Sequence, residues 1–295
     1  KEFNPDFIYE RTSYLGFVGR ELSDDLEVPL ILEVNAPAEE ERTKFSGRSL
    51  AIAWSLKITK ANYHAAAQIL CVSQALKKFI EEVFSVPTDK IVSNPNGVNT
   101  HIQDFEGIIE QEPNIQTIGF VGSIMPYHGV ETLLRSFAIS HSTNPNIELL
   151  IVGDGSILNE LQELSASLRV DHVVKFTGSV AHQLIGAHIS AMDICIMPAS
   201  NWYGSPVKIF EYGLFSKPII APNTGPVAEV MRNNQDGILI DGETSLTSAI
   251  NWMFEHPDQA LEMGRSFNTR ILQSYTWNHN IARILVRLKL AMNGQ

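Results

Sequence analysis

Cysteine and positive charge are both scarce in this sequence. The only two cysteines, Cys71 and Cys195, stand in apolar runs that are typical of buried strands. We therefore predict two inert core thiols and a reducing, cytoplasmic setting. The 22 Lys and Arg residues against 33 Asp and Glu residues give a formal net charge of -11. This balance argues against nucleic acid or an anionic membrane as the main partner, because affinity for phosphates comes mostly from basic side chains.

Long hydrophobic runs are missing as well. No apolar stretch approaches the roughly 20 residues that a membrane-spanning helix needs, and no secretory signal peptide is visible. With 44% hydrophobic residues over 295 positions, the chain fits one large domain or two ordinary ones. It lacks an initiator Met and enters a predicted strand almost at once, so we expect a fragment of a longer protein.

Short apolar runs alternate with segments of helical period, which predicts an α/β fold with buried parallel sheets. The predicted strands are residues 7–9, 28–34, 68–73, 117–122, 148–153, 173–178, 193–198, 217–221 and 237–240. Between two of them, "SILNELQELSASL" predicts a helix with Ser156 as its N-cap. One face of this helix is apolar and should pack on a sheet: Ile157, Leu158, Leu161, Leu164 and Leu168.

A polar, acidic stretch at residues 99–116 has the composition of a linker. It separates a short group of strands from a longer one. We predict a partial N-terminal Rossmann-like domain at 1–105 and a complete Rossmann-like domain at 106–275. The amphipathic segment 276–295 is predicted to be a helix that crosses back towards the first domain.

The stretch "GSPVKIFEYG" carries a helix-start signal, with Ser205 as the predicted N-cap and Pro206 at the first helical position. A helix beginning there, just after a strand, points backbone N–H groups into the crevice where open α/β sheets bind ligands. Lys208 adds a cation and Glu211 a carboxylate one turn on, which favours a phosphate-and-ribose site. An exposed i, i+3 ion pair remains the alternative for these two residues.

Two more strand-to-helix loops are predicted to reach the same edge of the sheet. "FVGSIMPYHG" offers Gly122 for close backbone approach and His128 for an anion, and "TGPVAEV" places Glu229 a few residues into a helix. Either loop alone is better explained as an ordinary glycine turn, with His128 packed or solvated. Because parallel strands place such loops on one edge, the three together favour a binding site.

With these residues assembled, the chain resembles the group 1 glycosyltransferases, the large retaining family 4 with the GT-B fold. The segments that carry the resemblance occur in family order: "PDFIYERTSYLGF", "VPLILEVNAP", "VSQALKKFI", "DKIVSNPNGVN", "FVGSIMPYHGVETLLRSF", "LLIVGDG", "VKFTGSV" and "SPVKIFEYGLFSKPIIA". The resemblance implies two Rossmann-like domains with parallel sheets. It also implies that the N-terminal domain is incomplete here, since family members carry several strands before "PDFIYE".

The family pattern assigns a role to individual residues. Glu211 matches the last Glu of the E-x7-E motif and would hold the ribose, Lys208 would meet the diphosphate, and Tyr203 stands where the first Glu is expected. The family often has Arg and Lys in the glycine loop, where this chain has Ser123 and His128. The implied donor-binding residues are Gly122, Ser123, His128, Ser179, Val180, Tyr203, Gly204, Ser205, Pro206, Val207, Lys208 and Glu211, with the loop at Ser179 and Val180 meeting the base.

Asn35 stands where many relatives have a His that contacts the donor sugar. Its amide can donate and accept hydrogen bonds, but it cannot shuttle a proton at neutral pH. Because retaining transfer in this family relies on stabilisation of the leaving group, the substitution is compatible with activity. Asn35, Lys208 and Glu211 are therefore the candidate catalytic residues.

The resemblance implies a retaining hexosyltransferase that uses a UDP- or GDP-sugar as donor substrate and a saccharide or glycolipid acceptor, in the synthesis of surface polysaccharides. No cofactor or metal is expected, because the helix N-terminus and Lys208 neutralise the diphosphate and no Asp-x-Asp motif is present. We expect a cytoplasmic protein, with the inner face of the membrane as an alternative location. Two other functions stay open: a non-catalytic nucleotide-sugar-binding subunit completed by an N-terminal segment or a partner chain, and an epimerase of the same fold.

Overall fold

The structure, a computed structural model, describes residues 3–47, 49–105, 107–109 and 111–293. The chain divides into two units. The first comprises Lys1–Asn96, Trp202–Ser205 and Trp277–Gln295, and the second comprises Gly97–Asn201 and Pro206–Thr276. Both units are built on parallel sheets with helices, so the predicted α/β class is confirmed.

The first unit contains a sheet of four parallel strands in the order β1-β2-β3-β4. The strands are β1 (Ile8–Arg11), β2 (Leu30–Val34), β3 (Gln68–Cys71) and β4 (Ile91–Ser93). The helices of this segment are α1 (Val18–Leu26), α2 (Ala38–Ser46), α3 (Leu50–Ala65) and α4 (Gln74–Phe84). Three of these strands were predicted, and β4 was missed because its apolar run is only two residues long, Ile91 and Val92.

The second unit contains six parallel strands in the order β10-β9-β8-β5-β6-β7. They are β5 (Gln116–Val121), β6 (Ile147–Val152), β7 (Val174–Phe176), β8 (Ile194–Ile196), β9 (Ile219–Pro222) and β10 (Ile238–Ile240). All six were predicted. Their order is that of a complete dinucleotide-binding fold. The first three strands extend the sheet to one side of β5 and the last three to the other, so the strand order reverses between β5 and β8. Ligands of such sheets bind beyond the carboxyl ends of the strands at this switch point.

Seven helices are named in the described part of the second unit, of which the first five connect these strands and the last two follow β10. They are α5 (Val130–Thr143), α6 (Leu158–Ser167), α7 (Ile185–Ser190), α8 (Val207–Leu214), α9 (Gly225–Val230), α10 (Glu243–Glu255) and α11 (Pro257–Ser274). The predicted apolar face of α6 is confirmed, since Leu161 is buried in the core and the other four residues pack against it.

Two predicted helix N-caps are wrong. Helix α6 begins at Leu158, and the hydroxyl of Ser156 contacts the sulfur of Met125 at 3.5 Å instead of capping the helix. Helix α8 begins at Val207, one residue later than predicted, and Pro206 occupies the N-cap position with φ -84 and ψ 68. The Ser205 hydroxyl accepts a hydrogen bond from the backbone N–H of Asn96 at 3.1 Å. Both side chains have therefore found partners elsewhere.

The segment predicted as a linker is packed on the second unit along part of its length. A short 3-10 helix covers Thr100–Gln103, and the Gln103 amide donates to the carbonyl of Leu214 at 2.7 Å. Phe105 follows, with its ring 5.9 Å from that of Phe215. Glu106 and Glu110 of this stretch lie outside the described residues.

The last helix, α12 (Trp277–Asn293), belongs to the first unit. Ile284, Leu288 and Ala291 pack on the sheet against Ile31 and Leu70. This packing covers one face of β2 and β3. At the two ends of the chain, residues 1–2 and 294–295 lie outside the described residues.

Candidate functional site

The side chain of Lys208 lies against Gly122, directly at the carboxyl end of β5. A Cβ built on Gly122 would be 2.2 Å from Cε of Lys208 and 3.0 Å from its Nζ. Gly122 also has φ +148, a conformation that other residues rarely adopt. The ammonium group is 5.8 Å from the ring centroid of Phe120. Glycine at position 122 is therefore what allows a lysine from α8 to reach the switch point of the sheet.

Lys208 and Glu211 are both partly buried. Burial lowers the pKa of Lys208, opposed by the nearby charge of Glu211. Burial likewise raises the pKa of Glu211, opposed by His182 and Lys208. Among the described residues, neither charged group has a hydrogen bond or an ion pair, so the alternative of an exposed surface pair does not describe them. Charged groups that are partly desolvated and unpaired are costly, and they mark a candidate binding site.

The loop after β5 positions His128 beside Ser123. A 3-10 turn, Pro126–His128, brings Nδ1 of His128 to 2.5 Å from the backbone oxygen of Ser123 and 3.3 Å from its hydroxyl. Nδ1 must donate to the carbonyl, which leaves Nε2 as the acceptor in the neutral ring. Burial and then the charge of Lys208 lower the pKa of His128, partly offset by the Ser123 hydrogen bond. These effects favour the neutral form of the ring when no anion is bound.

Anion binding at this loop should raise the pKa of His128 and draw a proton onto Nε2. We expect calorimetric titration with UDP or GDP at pH 6.5, in two buffers of different ionisation enthalpy, to show proton uptake. His128→Gln should remove that part of the uptake. In the absence of ligand, the folded protein disfavours protonation of His128, because the pKa of this group is lowered. The contribution of His128 to stability is therefore lost as the pH falls below the pKa of the unfolded state, about 6.5.

His172→Gln is the matched control, since His172 is exposed and lies at the amino end of β7. The His172→Gln variant should take up as many protons on nucleotide binding as the wild type does. Equal proton uptake by the wild type and His128→Gln would show that His128 does not meet the anion.

The loop after β7 contains Ser179 and Val180. The backbone oxygen of Gly178 accepts from the N–H of Gly153 at 3.1 Å, which ties this loop to the one after β6. Ser179 is exposed, while Val180 packs partly against the core. Two residues on, exposed His182 is close enough to Glu211 to lower its pKa. Sequence reasoning missed His182, and its position just after the loop was the only available signal.

Two further residues shape this edge of the sheet and were also missed. The hydroxyl of Tyr212, fully buried next to Glu211, accepts a hydrogen bond from the N–H of Val121 at 2.9 Å and so ties α8 to β5. Thr224, at the end of β9, has a buried hydroxyl for which the described residues provide no partner. Tyr212 fixes the position of the helix that carries Lys208, and Thr224 offers a polar group on the same edge.

The remaining predicted site residues belong to the first unit. The amide of Asn35 donates to the Glu33 carboxylate at 2.7 Å, while its Oδ1 is buried without a partner among the described residues. Tyr203 is buried in the core of this unit, its hydroxyl bonded to Glu41. Its backbone oxygen accepts from the Ser73 hydroxyl at 2.6 Å. Gly204 and Ser205 belong to the same unit as Asn35 and Tyr203.

Family models match both parts of the chain. The model described as "Glycosyl transferases group 1" matches residues 115–256, which hold the site around Lys208, and "Glycosyltransferase Family 4" matches residues 1–102. The chain belongs to the group 1 glycosyltransferases. The resemblance predicted from the ordered motifs is thus confirmed.

Curated relatives of this group 1 glycosyltransferase are distant. A GDP-mannose-dependent alpha-(1-6)-phosphatidylinositol monomannoside mannosyltransferase of Mycobacterium tuberculosis is 25% identical over 176 residues, 57% of this chain and 46% of that protein. An alpha-monoglucosyldiacylglycerol synthase of Streptococcus pneumoniae is 21% identical over 264 residues, 85% of this chain and 59% of that protein. The chain thus spans about half the length of these relatives.

Solved structures share the fold. HepE of Anabaena in complex with UDP has a TM-score of 0.78 at 19% identity, covering 92% of this chain and 75% of that chain. The sucrose-phosphate synthase of Thermosynechococcus elongatus has a TM-score of 0.81 at 17% identity, and the match covers 98% of this chain and 74% of that chain. At this identity the likeness establishes the GT-B fold of this family member.

Proposed function

We propose that the second unit binds a nucleoside diphosphate sugar and that the chain takes part in retaining hexosyl transfer from it. The observation that carries the proposal is the Lys208 ammonium seated against Gly122 at the switch point, with the Glu211 carboxylate one turn further along α8. A cation, an exposed backbone and an acceptor are the groups that a diphosphate joined to a ribose requires.

Each group has one role in this proposal. The ammonium of Lys208 and the first N–H groups of α8 neutralise the diphosphate, in the substrate and more strongly in the leaving group as charge develops on it. Glu211 accepts hydrogen bonds from the ribose hydroxyls. The backbone of Ser179 and Val180 meets the base. Asn35 is kept as a candidate from the resemblance alone, and its amide can donate and accept hydrogen bonds but cannot act as a general base.

The names of the relatives support a choice of donor nucleotide sugar and of acceptor. One of them is named for GDP-mannose and a phosphatidylinositol mannoside, another for a glucosylated diacylglycerol, and the solved HepE structure holds UDP. We therefore propose a UDP- or GDP-hexose donor and a glycolipid or saccharide acceptor in surface polysaccharide synthesis, on the cytoplasmic side. No metal is needed in this proposal, because Lys208 and the helix N-terminus neutralise the diphosphate.

A second candidate function is a non-catalytic nucleotide-sugar-binding subunit that an N-terminal segment or a partner chain completes. It is favoured by the placement of Gly122, Lys208 and Glu211 in the second unit, which thus holds the proposed donor-binding groups by itself. Titration with UDP, GDP, ADP and UMP, followed by incubation with UDP-glucose or GDP-mannose and a lipid extract, separates the possibilities.

Three outcomes decide between them. Tight diphosphate binding with a glycosylated product supports the transferase, whereas binding without product supports the subunit. Conversion of one sugar nucleotide into another without an acceptor indicates an epimerase. If none of the three diphosphates binds, the proposed site is wrong.

A further inference from the structure

The ladder between β5 and β8 ends before β5 does. Its last pair joins Gly119 to Cys195, whereas on the other side β5 is paired with β6 as far as Val121. Backbone groups two residues apart on a strand face the same neighbour, so those of Val121 point to the side of β8. Because buried backbone groups need hydrogen bonds, Val121 requires a partner other than β8. It lies at the switch point of the sheet, one residue before Gly122.

The hydroxyl of Tyr212 is that partner. It accepts a hydrogen bond from the N–H of Val121 at 2.9 Å and donates to the carbonyl oxygen of the same residue at 3.4 Å. Tyr212 is fully buried, and burial raises the pKa of its hydroxyl well above the ordinary value, so the group keeps its proton. One side chain of α8 thus satisfies the backbone groups that β8 leaves unpaired.

This hydrogen bond fixes the position of α8 along β5. Lys208 and Tyr212 are four residues apart and therefore share a face of the helix. Tyr212 reaches Val121, while Lys208 lies against the next residue, Gly122, with its ammonium 5.8 Å from the ring centroid of Phe120. Two successive turns of the helix thus contact successive residues at the end of the strand.

The other side-chain hydrogen bonds to α8 are at its C-terminal end. The Asn268 amide donates to the carbonyls of Gly213 and Leu214 at 2.9 Å each, and the Gln103 amide donates to that of Leu214 at 2.7 Å. The N-cap residue, Pro206, provides no side-chain cap for the first turn. The Tyr212 hydroxyl is therefore the tether that joins this helix to the strand that Lys208 contacts.

We propose that the Tyr212 hydroxyl is a positioning group for phosphate recognition and that it acts on the nucleotide through Lys208. The proposal rests on the nucleotide site proposed above. Tyr212 itself is fully buried and does not contact the ligand. Without its hydroxyl, the N–H of Val121 loses its acceptor and α8 shifts against β5. The ammonium of Lys208 is then no longer held in place, and binding has to order it again at a cost in affinity.

Calorimetric titration with UDP and GDP tests this role. Tyr212→Phe keeps the ring in the core and should weaken diphosphate binding about tenfold, the effect of one lost hydrogen bond. If Tyr212 acts through Lys208, the double variant of Tyr212→Phe with Lys208→Met should bind as Lys208→Met does alone. A purely structural hydroxyl would give losses that multiply in the double variant, or no loss in Tyr212→Phe, and either result overturns the proposal.

The same titrations separate this proposal from the proposed function. If Lys208→Met weakens binding while Tyr212→Phe does not, the nucleotide site stands and the positioning role is wrong. If Lys208→Met binds UDP and GDP as tightly as the wild type, both are wrong.

Thr117→Val is the matched control. Thr117 lies near the other end of β5, is 1% exposed, and donates its hydroxyl to the Glu148 carboxylate at 3.0 Å. Valine keeps the shape of the side chain, so this variant also loses one buried hydroxyl. Urea unfolding should show both variants folded and less stable than the wild type, but Thr117→Val should keep the wild-type affinity. An equal loss of affinity in the two variants would show that binding follows general stability, which contradicts the positioning role.

Hydrogen exchange of the wild-type protein provides a measurement that needs no variant. Bound nucleotide holds Lys208 and, through α8, the Tyr212 hydroxyl. Exchange of the Val121 N–H should therefore slow more on addition of UDP or GDP than exchange of the Gly119 N–H, which lies in the ladder with β8. Equal slowing at the two residues contradicts the proposal.

Discussion

Replacing Lys208 by Met or Glu211 by Ala is expected to weaken the binding of UDP or GDP by about 100-fold, roughly 2.7 kcal/mol. Lys208 is the cation against Gly122, and Glu211 is the acceptor one turn on. Both groups are partly buried without direct partners among the described residues. Their removal therefore relieves a desolvation cost, and the unliganded variants should be at least as stable as the wild type. Calorimetric titration and thermal unfolding, with and without nucleotide, measure both effects.

Two further variants, at Lys217 and Glu131, serve as controls for the substitutions of Lys208 and Glu211. Lys217 follows α8 and is partly buried, with its ammonium donating to the carbonyl of Ser190 at 2.7 Å, and Glu131 is exposed on α5. Lys217→Met and Glu131→Ala should bind nucleotide as the wild type does. Unchanged nucleotide protection in both Lys208→Met and Glu211→Ala would contradict the proposed site, and a joint loss of stability and binding would indicate a purely structural role.

Asp236→Ala is expected to lower the free energy of unfolding by about 3 kcal/mol. The carboxylate of Asp236 is fully buried and accepts from Arg232 at 2.7 and 2.8 Å and from the Ser266 hydroxyl at 2.8 Å. Removing it leaves these donors without their acceptor. This loss of about 3 kcal/mol lies at the lower end of the range expected when a buried ion pair is broken, because the Arg232 side chain is 47% exposed to water. Urea unfolding followed by fluorescence measures the loss.

The pH dependence of this contribution has a definite sign. Burial alone would raise the pKa of Asp236, but the hydrogen bonds and charge of Arg232, together with Ser266, lower it overall. A depressed folded pKa gives stability that is present above the unfolded value, about 3.9, and is lost as the pH falls through the folded value. The gap between wild type and Asp236→Ala should therefore close in acid. Asp241→Ala, at an exposed position nearby, should change stability little, and a similar loss there would refute the assignment.

Strands were predictable because their signal is local. Nine of the ten named strands were placed from runs of apolar residues, and β4 was missed because its apolar run, Ile91 and Val92, is only two residues long. Helix starts were less predictable. Ser156 and Ser205 are good capping residues by type, but their hydroxyls contact Met125 and the N–H of Asn96, which no local pattern reveals.

The site was predictable in its residue types but not in its electrostatics. Sequence reasoning selected Gly122, Lys208 and Glu211. The opposite pKa shifts of the two charged groups follow from their burial, which only packing determines. His182 and Tyr212 were missed for the same reason: their contacts, with Glu211 and with the N–H of Val121, are tertiary.

By itself, the sequence determined the alternation of strands and helices, the glycine at the end of β5, and the order of motifs that assigns the family. These are properties of neighbouring residues, read through periods of two and of 3.6 residues. Tertiary structure alone decided that Lys208 fits against Gly122, that Tyr212 holds a strand 91 residues away, and that Tyr203 lies in the core of the first unit. Such contacts depend on how sheets and helices pack, and distances of a few ångströms between remote residues leave no periodic trace in the chain.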